Sequence, residues 1–378
     1  MNEIIKFVDS LMEKSTPDTP AWNIEHVLEG KETKWNYIDG CMIKAILDLH
    51  YATGDKKYYD FAKGYIDFFL SETGDKILGY SVEEYNCDNI NMGKVLFDFR
   101  NRESDDKKYK NAIALLGRQL QTQPRINAGN FWHKNIYPNQ VWLDGLYMVQ
   151  PFYVSADTYQ DVFKQFKNVY EIMRCKKTGL YFHGYDESRE MFWADKDTGL
   201  SRNFWTRSIG WFTMALVDTA ERLNKQFLYE YETLQKYLKE VLDALLKVAD
   251  PETKMFYQVT NEAGRVGNYL ETSGSCAIAY SFMKGARLGF LPSYYFDYGK
   301  EIFDSVAAHK LVLGTDGIFT LKDICLVAGL GGMPGKGDYQ PRDGTFEYYI
   351  SEPRVDNDAK GVAPFLFAYA EILRKGKK

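Results

Sequence analysis

Apolar residues recur along this chain at intervals of three and four, the spacing of one face of an α-helix. Met42, Ala45, Ile46 and Leu49 mark one such face, a Thr53-Gly54-Asp55 turn follows, and Tyr58, Phe61, Ala62, Tyr65, Ile66 and Phe69 mark another. Together they predict an αα-hairpin whose second helix uses its aromatic stripe as core filler. The figure returns five times. Asp39-Gly40, Asp88-Asn89, Asp144-Gly145, Ser208-Ile209-Gly210, Ser273-Gly274-Ser275 and Asp358-Ala359-Lys360-Gly361 each open an apolar helix. A more charged outer helix usually follows, as over 229–246 and 295–308. Six openings at spacings of roughly fifty to ninety residues indicate a repeat architecture.

Six αα-hairpins with small residues at each inner-helix start can close into a ring, the inner helices packing tightly and the outer ones covering them. An open solenoid needs polar capping repeats, whereas the last repeat here is apolar through Val362-Ala363-Pro364-Phe365-Leu366-Phe367. The pattern therefore predicts an all-α fold, an (α/α)6 toroid. The chain has 378 residues, long for one core, but no Pro-, Gly/Ser- or single-charge run reads as a linker, so one domain over 1–378 is expected. In such a ring the inner helices run in one sense, and the loops before them surround a single funnel.

Charge narrows the partners. A net charge of −5, with acids and bases interspersed, argues against a nucleic-acid or anionic-membrane partner and leaves a local cationic spot as the way to hold an anion. Ile4, Ile5, Val8, Leu11 and Met12 stand at helical spacing with charges between them, which is neither a signal peptide nor a membrane span and predicts a cytoplasmic protein. Cys41, Cys87, Cys175, Cys276 and Cys325 are odd in number and widely spaced, so they read as reduced core thiols. No cofactor is implied, and a monomer or homodimer is expected.

The chemistry gathers at the funnel. Asp144 lies among aromatics in Pro138-Asn139-Gln140-Val141-Trp142-Leu143-Asp144-Gly145, just after Phe131-Trp132-His133-Lys134. An Asp before Gly at a helix start is also an ordinary N-cap. Asp88 holds the equivalent place one repeat earlier, and paired carboxylates are the usual equipment for acid/base work on glycosides. His183 sits in the strand-like turn Tyr181–Asp186, and Arg207 lies between Trp205 and Trp211, where its guanidinium can grip a carboxylate bidentately or join an ordinary ion pair. With 28 Tyr, 24 Phe and 7 Trp, several of them in loops, the chain is equipped to stack on sugar rings. His133 and His183 lack metal-site spacing, and no metal is expected. Gly329-Leu330-Gly331-Gly332-Met333-Pro334-Gly335 lacks the following Lys-Ser or Lys-Thr of a phosphate loop and reads as a rim loop closing on the ligand.

Trp35-Asn36-Tyr37, Asp88-Asn89, Phe131 to Lys134, Gln140 to Met148, Phe204 to Trp211 and Ser351-Glu352-Pro353 through Gly361 jointly resemble glycoside hydrolase family 105, the unsaturated rhamnogalacturonyl hydrolases. The resemblance implies removal of an unsaturated uronic acid from the non-reducing end of a lyase-generated oligosaccharide, the rhamnogalacturonan disaccharide above all. It further implies that Asp144 protonates the C4=C5 vinyl ether and then activates the water that adds at C5. Asp88 is the second catalytic carboxylate, expected to raise the pKa of Asp144 by its charge. Tyr37, His133, Lys134, His183, Trp205, Arg207 and Trp211 are implied as substrate-binding. The family often has Arg-Gly-Asn-Gly-Trp where this chain has Arg207-Ser208-Ile209-Gly210-Trp211, a departure at a neighbouring subsite. An inverting glycosidase on saturated glycans, with carboxylates about 6.5–9.5 Å apart, and a non-catalytic sugar-binding scaffold are the alternatives.

Overall fold

The structure, a computed structural model, describes residues 2–30, 32–100, 102, 107–155, 157–223, 227–332 and 341–376. The chain opens with α1 (Asn2–Glu13) and α2 (Ile24–Glu29), then α3 (Tyr37–Thr53) and α4 (Lys56–Phe69). A 3-10 helix, Cys87–Val95, runs directly into α5 (Leu96–Arg100), and α6 (Lys107–Thr122) follows. The next pairs are α7 (Leu143–Tyr153) with α8 (Tyr159–Ile172), α9 (Thr206–Arg222) with α10 (Leu228–Leu246), and α11 (Thr272–Arg287) with α12 (Tyr295–Lys310). The short α13 (Phe346–Ser351) precedes α14 (Ala359–Lys375).

The expected toroid is present. α3, the 3-10 helix, α7, α9, α11 and α14 each pack on the next, and α14 packs back on α3, so the inner layer closes. Each of α4, α6, α8, α10 and α12 lies outside the inner element before it. The sixth outer place is filled from the other end of the chain. α1 is tied to α4 by the 2.8 Å pair Asp9–Lys57 and touches the strand Phe319–Leu321 beyond α12. The ring is thus closed by its two ends, with five hairpins continuous in sequence.

A second difference lies in the inner element opened by Asp88, which is a 3-10 helix and not the expected α-helix. Its run Asp88-Asn89-Ile90-Asn91-Met92-Gly93 is rich in residues that pair with their own backbone or carry no Cβ, so an α-helix has little intrinsic support there.

Small residues let the inner layer close. Every residue of α11 from Thr272 to Gly285 is buried, as a helix covered on all sides requires. A Cβ on Gly40 would fall 2.7 Å from Met92 Cα, and one on Gly210 would fall 2.8 Å from Ala277 Cβ. Outer helices instead bury one stripe: in α4 Tyr58, Ala62, Tyr65, Ile66 and Phe69 face inward, and half-buried Phe61 meets Trp22 edge-on. All five cysteines are free thiols, and only Cys175 is not fully buried. No helix among the described residues is long and apolar enough to cross a membrane.

Short antiparallel ribbons brace one mouth of the ring. β1 (Gln140–Trp142) pairs with β2 (Gly184–Asp186), and β3 (Phe256–Tyr257) pairs with β4 (Leu270–Glu271). β5 (Leu311–Leu313) pairs with β6 (Phe319–Leu321), and β7 (Ile324–Cys325) with β8 (Arg354–Val355). β1 leads into α7 and β4 into α11, so these ribbons fix where the inner helices begin.

Candidate active site

The mouth at the inner-helix N-termini holds a cavity of about 310 Å3 that brings together Tyr37, Asp88, His133, Lys134, Asp144, His183, Trp205, Arg207 and Trp211. Periodicity explains the convergence. Asp88, Asp144 and Arg207 are each the second residue of their inner element, and Tyr37 is the first of α3. Glu25, Tyr137, Trp142, Met148, Leu326 to Gly329 and Arg342 complete the wall.

Helix caps separate Asp144 from its neighbours. At α11 the N-cap Glu271 accepts from Ser273 and Gly274 backbone nitrogens, and at α14 Asp358 accepts from that of Lys360. α3 and the 3-10 helix are capped by Asn36 and Asn86. At α7 the N-cap position is Trp142, which makes no side-chain bond, and Asp144 lies inside the helix without capping it. The ordinary N-cap role is therefore absent. Its Oδ2 is buried with no hydrogen-bond partner, as is His183 Nε2, and the two atoms face each other at 3.3 Å.

The electrostatics correct one expectation. Burial raises the Asp144 carboxyl, but His183, His133 and Arg207 outweigh it and the net direction is down. The charge of Asp88 is met by Lys134 Nζ at 2.6 Å, with His133 Nε2 3.8 Å from its other oxygen. Asp88, paired with Lys134, is thus not among the main influences on Asp144, which the two imidazoles and Arg207 hold down. Burial would lower Lys134, yet its pair with Asp88 carries the ammonium above its ordinary range.

Arg207 also differs from expectation. Its Nη1 donates to the Cys325 carbonyl and its Nη2 to that of Leu326 at 3.3 Å, while the guanidinium lies 4.6 Å from the Trp205 ring centre. The fork expected for a ligand carboxylate is turned onto two backbone carbonyls, although the residue still lines the cavity. Trp205 donates to Gln258, and Trp211 stacks on Tyr147, so both indoles border the space while held by protein on one side.

Arg342 and Glu25 were not singled out by the sequence. Arg342 follows the glycine-rich run and bonds back across it, its carbonyl accepting from Gly331 N at 2.8 Å. No flanking aromatic motif marks it. Gly329 of that run lines the cavity, whereas Met333, Pro334 and Gly335 lie outside the described residues.

His133 has a measurable signature. Stacked on Trp142 at 4.5 Å between ring centres, it is pushed by burial down to about 4 despite the pull of Asp88. The folded state then binds its proton less readily than the unfolded chain, so stability is lost as pH falls from about 6.5 toward about 4. The expected contribution is about 1.4 kcal/mol per pH unit. Denaturant titrations across that range should give His133→Gln a flatter dependence than the native protein; equal slopes would contradict a buried neutral imidazole.

Comparison with known proteins places the chain among glycoside hydrolases. Residues 4–375 match the model of Glycosyl Hydrolase Family 88. A glycoside hydrolase from family 105 of C. acetobutylicum is 40% identical, with 97% of this chain and 99% of that one aligned at a TM-score of 0.85. The unsaturated rhamnogalacturonyl hydrolase YesR of Bacillus subtilis is 21% identical over 295 residues, 75% of this chain and 77% of YesR. An unsaturated glucuronyl hydrolase from Bacillus sp. GL1, responsible for degradation of glycosaminoglycan, shares the fold at 13% identity and a TM-score of 0.63, over 90% of this chain and 87% of that one.

Proposed function

The chain belongs to glycoside hydrolase family 105 and matches the family 88 model over residues 4–375, and from that premise we propose that it removes a terminal Δ4,5-unsaturated uronic acid from lyase-generated oligosaccharides. Unsaturated rhamnogalacturonan disaccharide is the proposed substrate. The observation that carries this reading is Asp144, which makes no capping bond, lines a cavity of sugar size and keeps its buried Oδ2 against His183.

In the proposed reaction Asp144 protonates C4 of the vinyl ether. Positive charge develops at C5 and the ring oxygen, and water activated by the same carboxylate adds at C5. The resulting hemiketal opens and expels the partner sugar. Asp88, paired with Lys134, accepts hydrogen bonds from ring hydroxyls in this reading, while the charges of Arg207 and Arg342 in the same cavity favour an anionic sugar. Tyr37, Trp205 and Trp211 border the ring. A smaller cavity of about 160 Å3 adjoins this one through Glu25, Tyr37, Asp88 and Lys134 and is lined largely by polar groups, including Asn36 and Asn89. It offers room for the leaving sugar.

The test is a panel of lyase products followed by loss of the double bond's ultraviolet absorbance. The rhamnogalacturonan disaccharide is expected to give the highest kcat/KM, ahead of unsaturated glycosaminoglycan and homogalacturonan products, with no action on saturated glycans. A preference for a glycosaminoglycan product would overturn the substrate, and turnover of saturated glycans would overturn the reaction.

A further inference from the structure

We propose that Tyr349 is a positioning residue: its hydroxyl accepts a hydrogen bond from His183 Nδ1, leaving Nε2 to share a single proton with Asp144 Oδ2, and that shared proton is the one delivered to C4. The inference rests on the reaction proposed above and assigns its proton to a pair of side chains.

The geometry is a buried line of three groups. Tyr349 Oη lies 2.8 Å from His183 Nδ1, and His183 Nε2 lies 3.3 Å from Asp144 Oδ2. His183 and Tyr349 are wholly buried, and neither Nε2 nor Oδ2 has another partner. Such paired orphans in a protein interior call for a chemical role. Tyr349 comes from α13 and lies roughly parallel to Trp205, 6.1 Å between ring centres. Burial and the Asp144 charge raise its phenol well above the ordinary range, so it stays a hydroxyl.

Two tautomers fit the 2.8 Å contact, and only one serves the reaction. If Tyr349 donated to Nδ1, Nε2 would carry the sole imidazole proton, and passing it to Asp144 would leave an imidazolate. If Tyr349 accepts from Nδ1–H, the remaining proton can sit on Nε2, opposite a carboxylate, or on Oδ2, opposite a bare nitrogen. In the first arrangement Asp144 is held ionised, in keeping with the downward direction found for it. In the second it is the acid the double bond requires.

The balance then closes. The C4=C5 pair takes the proton from Oδ2 as the C4–H bond forms, water oxygen bonds to C5, and the water's proton returns to Asp144. The pair ends as it began. The other titratable or charged groups that act at this point are His133 from the loop before β1 and Arg207 from α9, with Asp343 and Glu352 beyond Tyr349. None of them replaces Tyr349 at Nδ1.

The experiment compares pH–rate profiles of the native enzyme and Tyr349→Phe on the unsaturated disaccharide. An acceptor at Nδ1 favours the protonated imidazole, so its removal should let the pair lose its proton at lower pH. The alkaline limb of kcat/KM is expected to move down by about one pH unit and kcat to fall by about tenfold, with KM within about twofold. An unchanged profile, or a loss confined to KM, would overturn the role. Should the variant fail to fold, 15N shifts of His183 in the native protein decide: a protonated Nδ1 supports the proposal and a bare Nδ1 refutes it. Failure of the underlying reaction would show separately, as full activity in Asp144→Asn.

Discussion

Asp144→Asn is expected to fold like the native protein and to lose on the order of 10²–10⁴ in kcat, the range for removing a positioned general acid. Both halves of that expectation come from the same geometry. Asp144 makes no cap bond to α7 and its Oδ2 has no hydrogen-bond partner, so an amide of equal size removes nothing on which the helix start depends. The carboxylate's contact with His183 is lost, and with it the proton the reaction needs. Thermal unfolding and initial rates on one unsaturated disaccharide check it. A cap would behave differently: Asp144→Asn would keep both Tm and turnover, and only Asp144→Ala would lower Tm, by the equivalent of about 1 kcal/mol. Near-native activity in this variant would remove the catalytic assignment.

The second large effect is expected from Gly274→Ala, far smaller in chemistry but placed where two inner helices touch. A methyl there would fall 2.5 Å from Thr206 Cγ2, 2.8 Å from the Thr206 carbonyl carbon and 2.9 Å from Arg207 N. Two of those atoms are backbone, so the start of α9 or of α11 must move. Alanine improves helix propensity by about 1 kcal/mol, but forcing atoms into a closed inner layer costs about 1–3 kcal/mol. The net expected result is a lower Tm. Because Arg207 is held by the carbonyls of Cys325 and Leu326, displacing its backbone should also disturb the cavity wall and raise KM. A variant with native Tm and native KM would contradict the close packing of α9 on α11.

Much of the toroid was legible because small and acidic residues open each inner helix and apolar residues at helical spacing follow. The 3-10 helix at Cys87–Val95 was not, since a spacing of three recurs in α and 3-10 helices alike. Closure through α1 was equally hidden: the Asp9–Lys57 pair joins residues 48 apart, with nothing in either segment to announce the other. At the site, the nine candidates line one cavity, and for Asp88, Asp144 and Arg207 the reason is the repeat, which makes each the second residue of its inner element. What governs Asp144 could not be read that way. Asp88 is its counterpart in the repeat, but Lys134 is folded onto Asp88 while His183 comes across from β2 to meet Asp144. Tyr349 is 166 residues from the histidine it touches, which no local pattern relates. Spacing reveals which residues share a mouth; the pairing of charges within it depends on side-chain directions.

The central claim is that Asp144 hydrates a ring double bond and leaves the glycosidic bond to break afterwards. One measurement tests it most directly: turnover of the unsaturated disaccharide in deuterium oxide enriched in 18O, with the products read at once by NMR and mass spectrometry. Deuterium is expected at C4 and 18O at C5, with ultraviolet absorbance lost at the rate of sugar release. Label at the anomeric carbon, with C4 unlabelled and the double bond still present at release, would contradict it.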